Sequence, residues 1–252
     1  MMGGCCGCLV VVFGIPALVF WTAVWYLAAK GMDNPLLLPG PVQVLRCLGN
    51  LMLTESFWQT VGVSIGRILL GVISAMCLGC LLAVVTAFSR LLNGLIAPAM
   101  TAMQATPVAS FTILVLIWLD RNYVPVLICG MMVLPVVWNS VSTGIRVMDP
   151  QLLEMAKVYE ISRFHTLRRI WIPSVMPFFR TACLNSVGLG WKAGIAAEVL
   201  TVPKRSIGRM IADSKLYLMT EELFASTLVV IALSLLLQKC VLWLLNRRNI
   251  HA

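Results

Sequence analysis

The chain has 252 residues, of which 60% are hydrophobic and only 12% are charged, and its formal net charge is +9 at pH 7. Soluble domains contain about 45–50% apolar and about 25% charged residues, so this composition excludes an ordinary water-soluble fold. The basic residues form no stripe interleaved with exposed aromatic residues, which argues against nucleic-acid binding and favours anchoring beside a membrane.

Apolar runs recur along the whole chain and predict about six transmembrane helices. They cover residues 9–29, 57–88, 92–119, 123–145, 174–197 and 223–245. The first run has no Lys or Arg before it and is longer than the core of a signal peptide, so we expect it to be retained as a span. The sequence therefore predicts one all-α integral membrane domain over residues 1–252.

Cysteines at the start of the chain do not form a recognisable metal site. Cys5, Cys6 and Cys8 are close together, but no His or acidic residue lies near them. Cys77 and Cys80 form a C-x-x-C pair within an apolar run, without the second pair that a zinc site needs. We expect no metal and no cofactor.

Three charged residues within or beside apolar runs are singled out, because charge there is costly and usually faces a water pathway or a partner. They are Arg67, Lys192 and Glu198. Arg67 could instead extend its charge to the outer interface. Lys192 and Glu198 are six residues apart, about 240° on a regular helix, so they would pair only if that helix breaks. All three are candidates for a translocation path.

Proline and glycine indicate irregular and close packing among the spans. Prolines at 98, 107, 125 and 135 are expected to interrupt the third and fourth spans. The small residues of 62–66 and 188–190 are expected to let helices approach closely.

The segment 149–173 is the only long polar and charged interruption among the spans of the second half. Asp149 before Pro150 predicts a helix start. Leu152, Met155, Ala156 and Tyr159 recur at helical spacing and predict one apolar face. Ser162 is a possible cap for a second short helix that carries Phe164, Leu167 and Trp171. The pattern predicts two short amphipathic helices that a partner protein could grip.

A second polar segment, 199–221, cannot cross a membrane. Ile207, Met210, Ile211 and Leu218 could form the apolar face of an interfacial helix, with Ser206 as its cap.

The segment 149–172 resembles the cytoplasmic "EAA" coupling loop of bacterial ABC importer permeases. Glu154-Met155-Ala156 matches its opening, and Ile170-Trp171-Ile172-Pro173 matches its end at the correct spacing. Glu160 stands where that family has glycine. Shorter matches along the chain are similar to the nitrate, sulfonate and taurine branch; they include residues 38–41, 60–71, 98–107, 135–144 and 191–198.

This resemblance implies a homodimeric permease that works with two cytoplasmic ABC ATPase subunits and an extracytoplasmic solute-binding protein. The residues implied in coupling to the ATPase are Glu154, Met155, Ala156, Tyr159, Glu160, Arg163 and Phe164. Ala156 is expected at the ATPase contact, packed too tightly for a larger side chain. The segment 199–221 corresponds to an outer element where the binding protein docks. The expected solute is small, and Arg67 and Lys192 favour an anion such as a sulfonate, nitrate or carboxylate.

Glu160 has two interpretations at the family's glycine position. Either it adopts the positive φ that glycine tolerates, or Ile161 helps to build a different turn. Its carboxylate, unfavourable at a helix C-terminus, could be offset by Arg163 or by a basic residue of the ATPase.

Two other classes of protein fit the sequence less well than an importer permease. A secondary transporter or channel would need ion-coupling carboxylates in mid-membrane, and no acidic residue is central to a span. A membrane enzyme lacks a catalytic set, because the only histidines are His165 and His251. No phosphate-binding loop is present, so ATP hydrolysis is expected on a separate subunit. The density of basic residues between Arg146 and Arg169, with Arg247 and Arg248, favours cytoplasmic termini in a bacterial inner membrane.

Overall fold

The computed structural model describes the backbone of residues 4–32, 34 and 36–247, and their side chains except those of residues 4–15, 18, 246 and 247. The Cys5, Cys6 and Cys8 cluster and both termini therefore lie outside the described residues. Within the described ranges all regular structure is helical, which confirms the all-α prediction. The helices are α1 (Gly4–Met32), α2 (Pro41–Met52), α3 (Glu55–Phe88), α4 (Arg90–Ala105), α5 (Val108–Val115), α6 (Val124–Arg146), α7 (Pro150–Val158), α8 (Arg163–Thr166), α9 (Ile172–Thr201), α10 (Ile207–Leu216) and α11 (Thr220–Arg247).

Several helices are long enough to cross a membrane. Among the described residues, three combine that length with a strongly apolar composition: Glu55–Phe88, Val124–Arg146 and Thr220–Leu245. Helices α1 and α9 have 29 and 30 residues. At about 1.5 Å per residue each is longer than a hydrocarbon core of roughly 30 Å.

The predicted span over 92–119 is interrupted at Pro107, as expected from the sequence, whereas the interruptions expected at Pro98 and Pro135 are wrong. The chain is extended at Thr106 (φ −73°, ψ 125°) and at Pro107 (φ −64°, ψ 124°), which separates α4 from α5. Proline has no N–H to donate and disfavours helical geometry in the residue before it, so the break falls there. Pro98 and Pro135, in contrast, lie inside continuous helices, and Pro125 lies in the first turn of α6.

The chain divides into two compact units. The first comprises Met1–Gln59 and Met210–Val229, and the second comprises Thr60–Arg209 and Val230–Ala252. In the first unit the rings of Trp25 and Phe224 stack with centroids 5.9 Å apart. The single permease domain inferred from the sequence stays a prediction.

The second unit is built around α3, α6 and α9. Small residues allow these helices to approach closely: a Cβ on Gly194 would lie 2.6 Å from Cys129 Sγ and 2.7 Å from Ile68 Cγ1. Two tryptophans are buried here with their indole N–H groups satisfied. Trp191 Nε1 donates to the Val230 carbonyl at 3.1 Å, and Trp138 Nε1 donates to Thr86 Oγ1 at 3.0 Å.

Of the small-residue surfaces predicted to let helices approach closely, only the one at 188–190 lies at a helix contact in the described chain. Gly190 packs against Val72, and Gly188 lies beside Gln238 of α11. Gly62 and Gly66 have no described atom within 4 Å of where a Cβ would stand, so that surface of α3 is open among the described residues.

Candidate functional site

Helix α7 carries the first half of the predicted coupling segment. The Asp149 side chain accepts a hydrogen bond from the Gln151 N–H at 2.9 Å, and Pro150 occupies the first helical position. This arrangement confirms the helix start predicted from Asp149-Pro150. It satisfies one of the N–H groups that a helix leaves without an internal partner.

The backbone at the end of α7 shows which conformation Glu160 adopts at the position where the family has glycine. The Ile161 N–H donates to the Ala156 carbonyl at 2.9 Å, and the Glu160 N–H donates to the Lys157 carbonyl at 3.1 Å. These two bonds define a Schellman ending, whose terminating residue is usually glycine because it is left-handed. Glu160 has φ 50°, so it adopts the strained conformation itself. The first of the two interpretations is confirmed.

The apolar residues of α7 do not share one environment, and the ATPase contact expected at Ala156 stays a prediction. Ala156 is 4% exposed, because it packs against its own chain. Met155 and Tyr159 are 45% and 73% exposed, and Phe164 beyond the turn is 68% exposed. Glu154 is exposed as well. Ala156 therefore positions α7, whereas its predicted companions are free to meet a partner.

The second short helix is the beginning of the following span, which is a further correction. Helix α8 continues through a π-helical segment, Leu167–Trp171, directly into α9. Ser162 makes no backbone cap; its Oγ forms a hydrogen bond with His165 Nδ1 at 2.8 Å. Arg163 is exposed and makes no ion pair with Glu160 in the described part of the chain. The Glu160 carboxylate thus lacks the internal compensation considered above.

An apolar cavity of about 980 Å³ lies between the coupling segment and the ends of α3, α6 and α9. Its wall includes Val84, Ala156, Trp171 and Phe179, and Lys157 contributes a charged group. From the coupling segment the cavity is lined by Leu153, Ala156 and residues of the turn that follows α7, including Ile161.

The second candidate site is a buried cluster around Glu198. Arg67 Nη1 donates to Glu198 Oε1 at 2.7 Å, and the two side chains are 10% and 0% exposed. Ser64 Oγ donates to Glu198 Oε2 at 2.8 Å, and the Gly208 N–H donates to the same oxygen at 3.2 Å. The carboxylate is therefore both neutralised and fully hydrogen-bonded, as a buried charge must be.

The cluster fixes the chain between α9 and α10. Arg67 Nη2 donates to the Lys204 carbonyl at 3.4 Å, and the Ile207 N–H donates to Ser64 Oγ at 2.9 Å. Gly208 packs so closely on Glu198 that any Cβ there would overlap Glu198 atoms, including its backbone carbon. Glu198 thus joins α3, α9 and the start of α10.

Helix α10 agrees in part with the predicted interfacial helix. Ser206 Oγ accepts the Arg209 N–H at 3.0 Å, which confirms Ser206 as its cap. Leu218 lies beyond the helix with φ 56° and is 71% exposed, so it is not on the predicted apolar face.

The structure brings two of the three predicted path residues together and leaves the third apart. Arg67 and Glu198 pair with each other, so the Arg67 charge that was expected to favour an anion is neutralised. Lys192 is exposed on α9 and has no hydrogen bond or ion pair with another described residue. The sequence reasoning sought a partner for Glu198 on its own helix and missed Ser64 and Arg67 of α3. Their spacing of three residues, which places both on one helix face, was the available signal.

Comparison with known proteins agrees with this architecture. Residues 68–247 match the model of the family described as "Binding-protein-dependent transport system inner membrane component". The chain belongs to this family, the membrane-spanning permeases of ABC importers.

Named relatives have similar length and modest identity. The taurine transport system permease protein TauC of Escherichia coli is 24% identical over 87% of this chain and 82% of its own. The nitrate import permease protein NrtB of Synechococcus elongatus is 26% identical over 74% of this chain and 70% of its own. The bicarbonate transport system permease protein CmpB of the same species is 24% identical, over 75% and 68%.

Proposed function

We propose that this permease imports a small anionic solute and is driven by a cytoplasmic ABC ATPase that docks on the coupling segment. The observation that carries the proposal is the exposed apolar surface of the coupling segment, to which Met155, Val158, Tyr159 and Phe164 contribute. Large exposed apolar side chains of this kind commonly anchor a protein partner. The partners are two ATPase subunits, a second copy of the permease and an extracytoplasmic solute-binding protein.

Helix α9 supports a defined orientation of these partners. It joins the coupling segment at Ile172 to the Glu198 cluster and α10 beyond Thr201. Its length of about 45 Å would separate the two on opposite sides of a membrane. With the coupling segment and both termini in the cytoplasm, residues 199–221 lie on the outer side, where a binding protein would dock.

Charge in the spans supports an anion as the solute. The relatives compared above are named for taurine, nitrate and bicarbonate, which carry anionic groups. In this chain Arg67 is neutralised by Glu198, whereas Lys192 is an exposed cation on α9. A positive charge without a partner in a span attracts an anion.

A secondary transporter or channel is less well supported. Ion coupling needs a carboxylate that is available in a span, and Glu198 is occupied by Arg67, Ser64 and Gly208. ATP hydrolysis by the partner supplies the driving force instead.

The coupling surface is tested by Tyr159→Asp, with Tyr123→Asp as the matched control. Both tyrosines are exposed, at 73% and 65%, but only Tyr159 lies on the coupling segment. Burying a carboxylate in an apolar interface should cost about 2 kcal/mol or more, which weakens ATPase binding by at least about thirtyfold. The measurement is co-purification of the ATPase subunit and ATP hydrolysis by the reconstituted complex.

Tyr123→Asp should assemble and hydrolyse ATP like the parent protein. If Tyr159→Asp also retains full assembly and stimulated hydrolysis, the coupling segment is not the ATPase contact.

A further inference from the structure

One face of α9 carries polar side chains that have no partner in the described chain. Asn185 and Lys192 are both exposed and make no hydrogen bond or ion pair with a described residue. On a regular helix they lie within about 20° of each other, and Thr181 lies within about 40° of both. Thr181 is also exposed, although its hydroxyl donates to the Pro177 carbonyl of its own helix at 3.1 Å.

A second helix adds polar groups to the same face. Gly188, on the side of α9 that carries Asn185 and Lys192, has no side chain, and Gln238 of α11 fills the space above it. Gln238 Nε2 lies 3.4 Å from where a Gly188 Cβ would stand, and it donates to Ser234 Oγ at 3.3 Å. Polar groups from α9 and α11 therefore meet around Gly188.

Lipid is an unfavourable neighbour for this surface. Hydrocarbon cannot satisfy an amide or an ammonium group, and each unsatisfied polar group costs several kcal/mol. Lysine can extend its charge toward the interface, but the short Asn185 side chain cannot. Asn185 also lies about 20 Å along α9 from its start at Ile172, well inside a span of this length.

We propose that Asn185, Gln238 and Lys192 line the route of an oxyanion through the permease. Lys192 supplies the attracting charge, and the two amides donate hydrogen bonds to sulfonate, carboxylate or nitrate oxygens. The lack of a side chain at Gly188 lets Gln238 lie against α9 on this face. The inference rests on the proposed import of an anion and adds to it the helix face along which the anion moves.

The test uses thiol labelling with small charged reagents on the full chain in membrane vesicles. Asn185→Cys is treated with sulfonatoethyl methanethiosulfonate, itself a small sulfonate anion, and with its trimethylammonium counterpart. Mass spectrometry locates the label at residue 185 and distinguishes it from native Cys183, which is buried. Leu236→Cys is the control on α11, because Leu236 is 61% exposed but lies on the opposite side of that helix from Gln238.

Asn185→Cys should react at a rate typical of a water-accessible thiol, and Leu236→Cys should remain unlabelled. Adding Lys192→Met should lower the anion-to-cation rate ratio about fourfold at low salt, as expected for a unit charge roughly 10 Å away in water. Lys204→Met removes an exposed lysine beyond the end of α9, at least about 24 Å along the axis from Asn185, and should change the ratio by less than about twofold.

The assignment would be overturned if Asn185→Cys does not react, or if Lys192→Met does not change the anion-to-cation rate ratio. Labelling needs no ATP hydrolysis, so its outcome is separate from the docking test at Tyr159. If the permease binds its ATPase but fails the labelling test, the proposed function still holds and only the proposed anion route is wrong.

Discussion

Glu160 has a backbone conformation that is unfavourable for a residue with a side chain. At φ 50° a residue with a Cβ is strained, and the exposed carboxylate also lies beside the carbonyl end of α7. The strain is roughly 1 kcal/mol and the charge adds about 0.3–1 kcal/mol. Since Arg163 does not pair with it within the described chain, a basic group of the ATPase is the partner that would make this glutamate useful.

Glu160→Gly should therefore stabilise the isolated permease and weaken its assembly. We expect a rise in thermal midpoint of about 2–4 °C, since roughly 1 kcal/mol shifts the midpoint of a chain this size by that amount. ATPase affinity should fall. Glu160→Gln should also lower it, but should gain only the roughly 0.3–1 kcal/mol that the charge costs, because Gln keeps the strain of the positive φ. The measurements are thermal unfolding in detergent and titration of the ATPase subunit. Unchanged affinity in both variants would mean that Glu160 is a tolerated substitution without a partner.

Arg67 and Glu198 should behave as a buried pair. Arg67→Met leaves a carboxylate with 0% exposure uncompensated and should destabilise the permease by about 3–5 kcal/mol. The double variant Arg67→Met with Glu198→Gln removes both charges and keeps an acceptor for Ser64 and Gly208. It should recover much of that loss, as measured by thermal unfolding in lipid nanodiscs.

Lys192→Met is the control for charge removal, because Lys192 is exposed and has no partner among the described residues. The thermal midpoint of this variant should match that of the parent protein. A double variant no more stable than Arg67→Met alone would argue against a coupled pair.

At the scale of elements, glycine decides how closely α9 approaches α3 and α6. Gly194→Ala would bring a Cβ to 2.6 Å from Cys129 Sγ and 2.7 Å from Ile68 Cγ1, and overpacking of this kind costs about 1–3 kcal/mol. Gly66→Ala on α3 meets no described atom within 4 Å and should gain up to about 1 kcal/mol of helix propensity. The two variants should shift the thermal midpoint in opposite directions. A loss in Gly66→Ala would instead indicate that a second molecule covers that face.

The π-helical segment divides the polar segment 149–173 into two parts, a separate short helix and the beginning of the next long helix. Residues 149–161 form a separate capped helix and its turn, whereas Arg163 begins a helix that reaches Thr201 through Leu167–Trp171. A force on Phe164 is therefore applied to the same helix that carries Lys192 and Glu198. This continuity provides a physical link from the proposed ATPase contact to the proposed anion route.

At the scale of the whole molecule, long apolar helices remain largely uncovered by their own chain. In the most apolar stretch of α11 no residue is buried, and in that of α3 only 33% are. In water such surfaces would drive aggregation, whereas lipid can cover them at little cost. This exposure agrees with an integral membrane permease.

Composition was sufficient to predict an integral membrane protein, and the resemblance of residues 149–172 to a known coupling loop predicted its family. Hydrophobic runs of about twenty residues specify membrane helices because a bilayer requires every backbone polar group to bond internally. Asp149-Pro150 specified where α7 begins, and the spacing from Glu154 to Pro173 indicated the coupling segment. These are local properties of the chain, so the sequence alone determined them.

Only the tertiary structure decided which way each helix face points. A period of 3.6 residues shows that Met155 and Ala156 are neighbours on α7, but not that Ala156 turns toward its own chain while Met155 turns outward. In a membrane the sequence pattern is weaker still, because lipid and protein interior are both apolar. The pairing of Arg67 with Glu198, 131 residues away, and the open position of Lys192 depend on how α3 and α9 pack, and that packing is set by side chains distant in sequence.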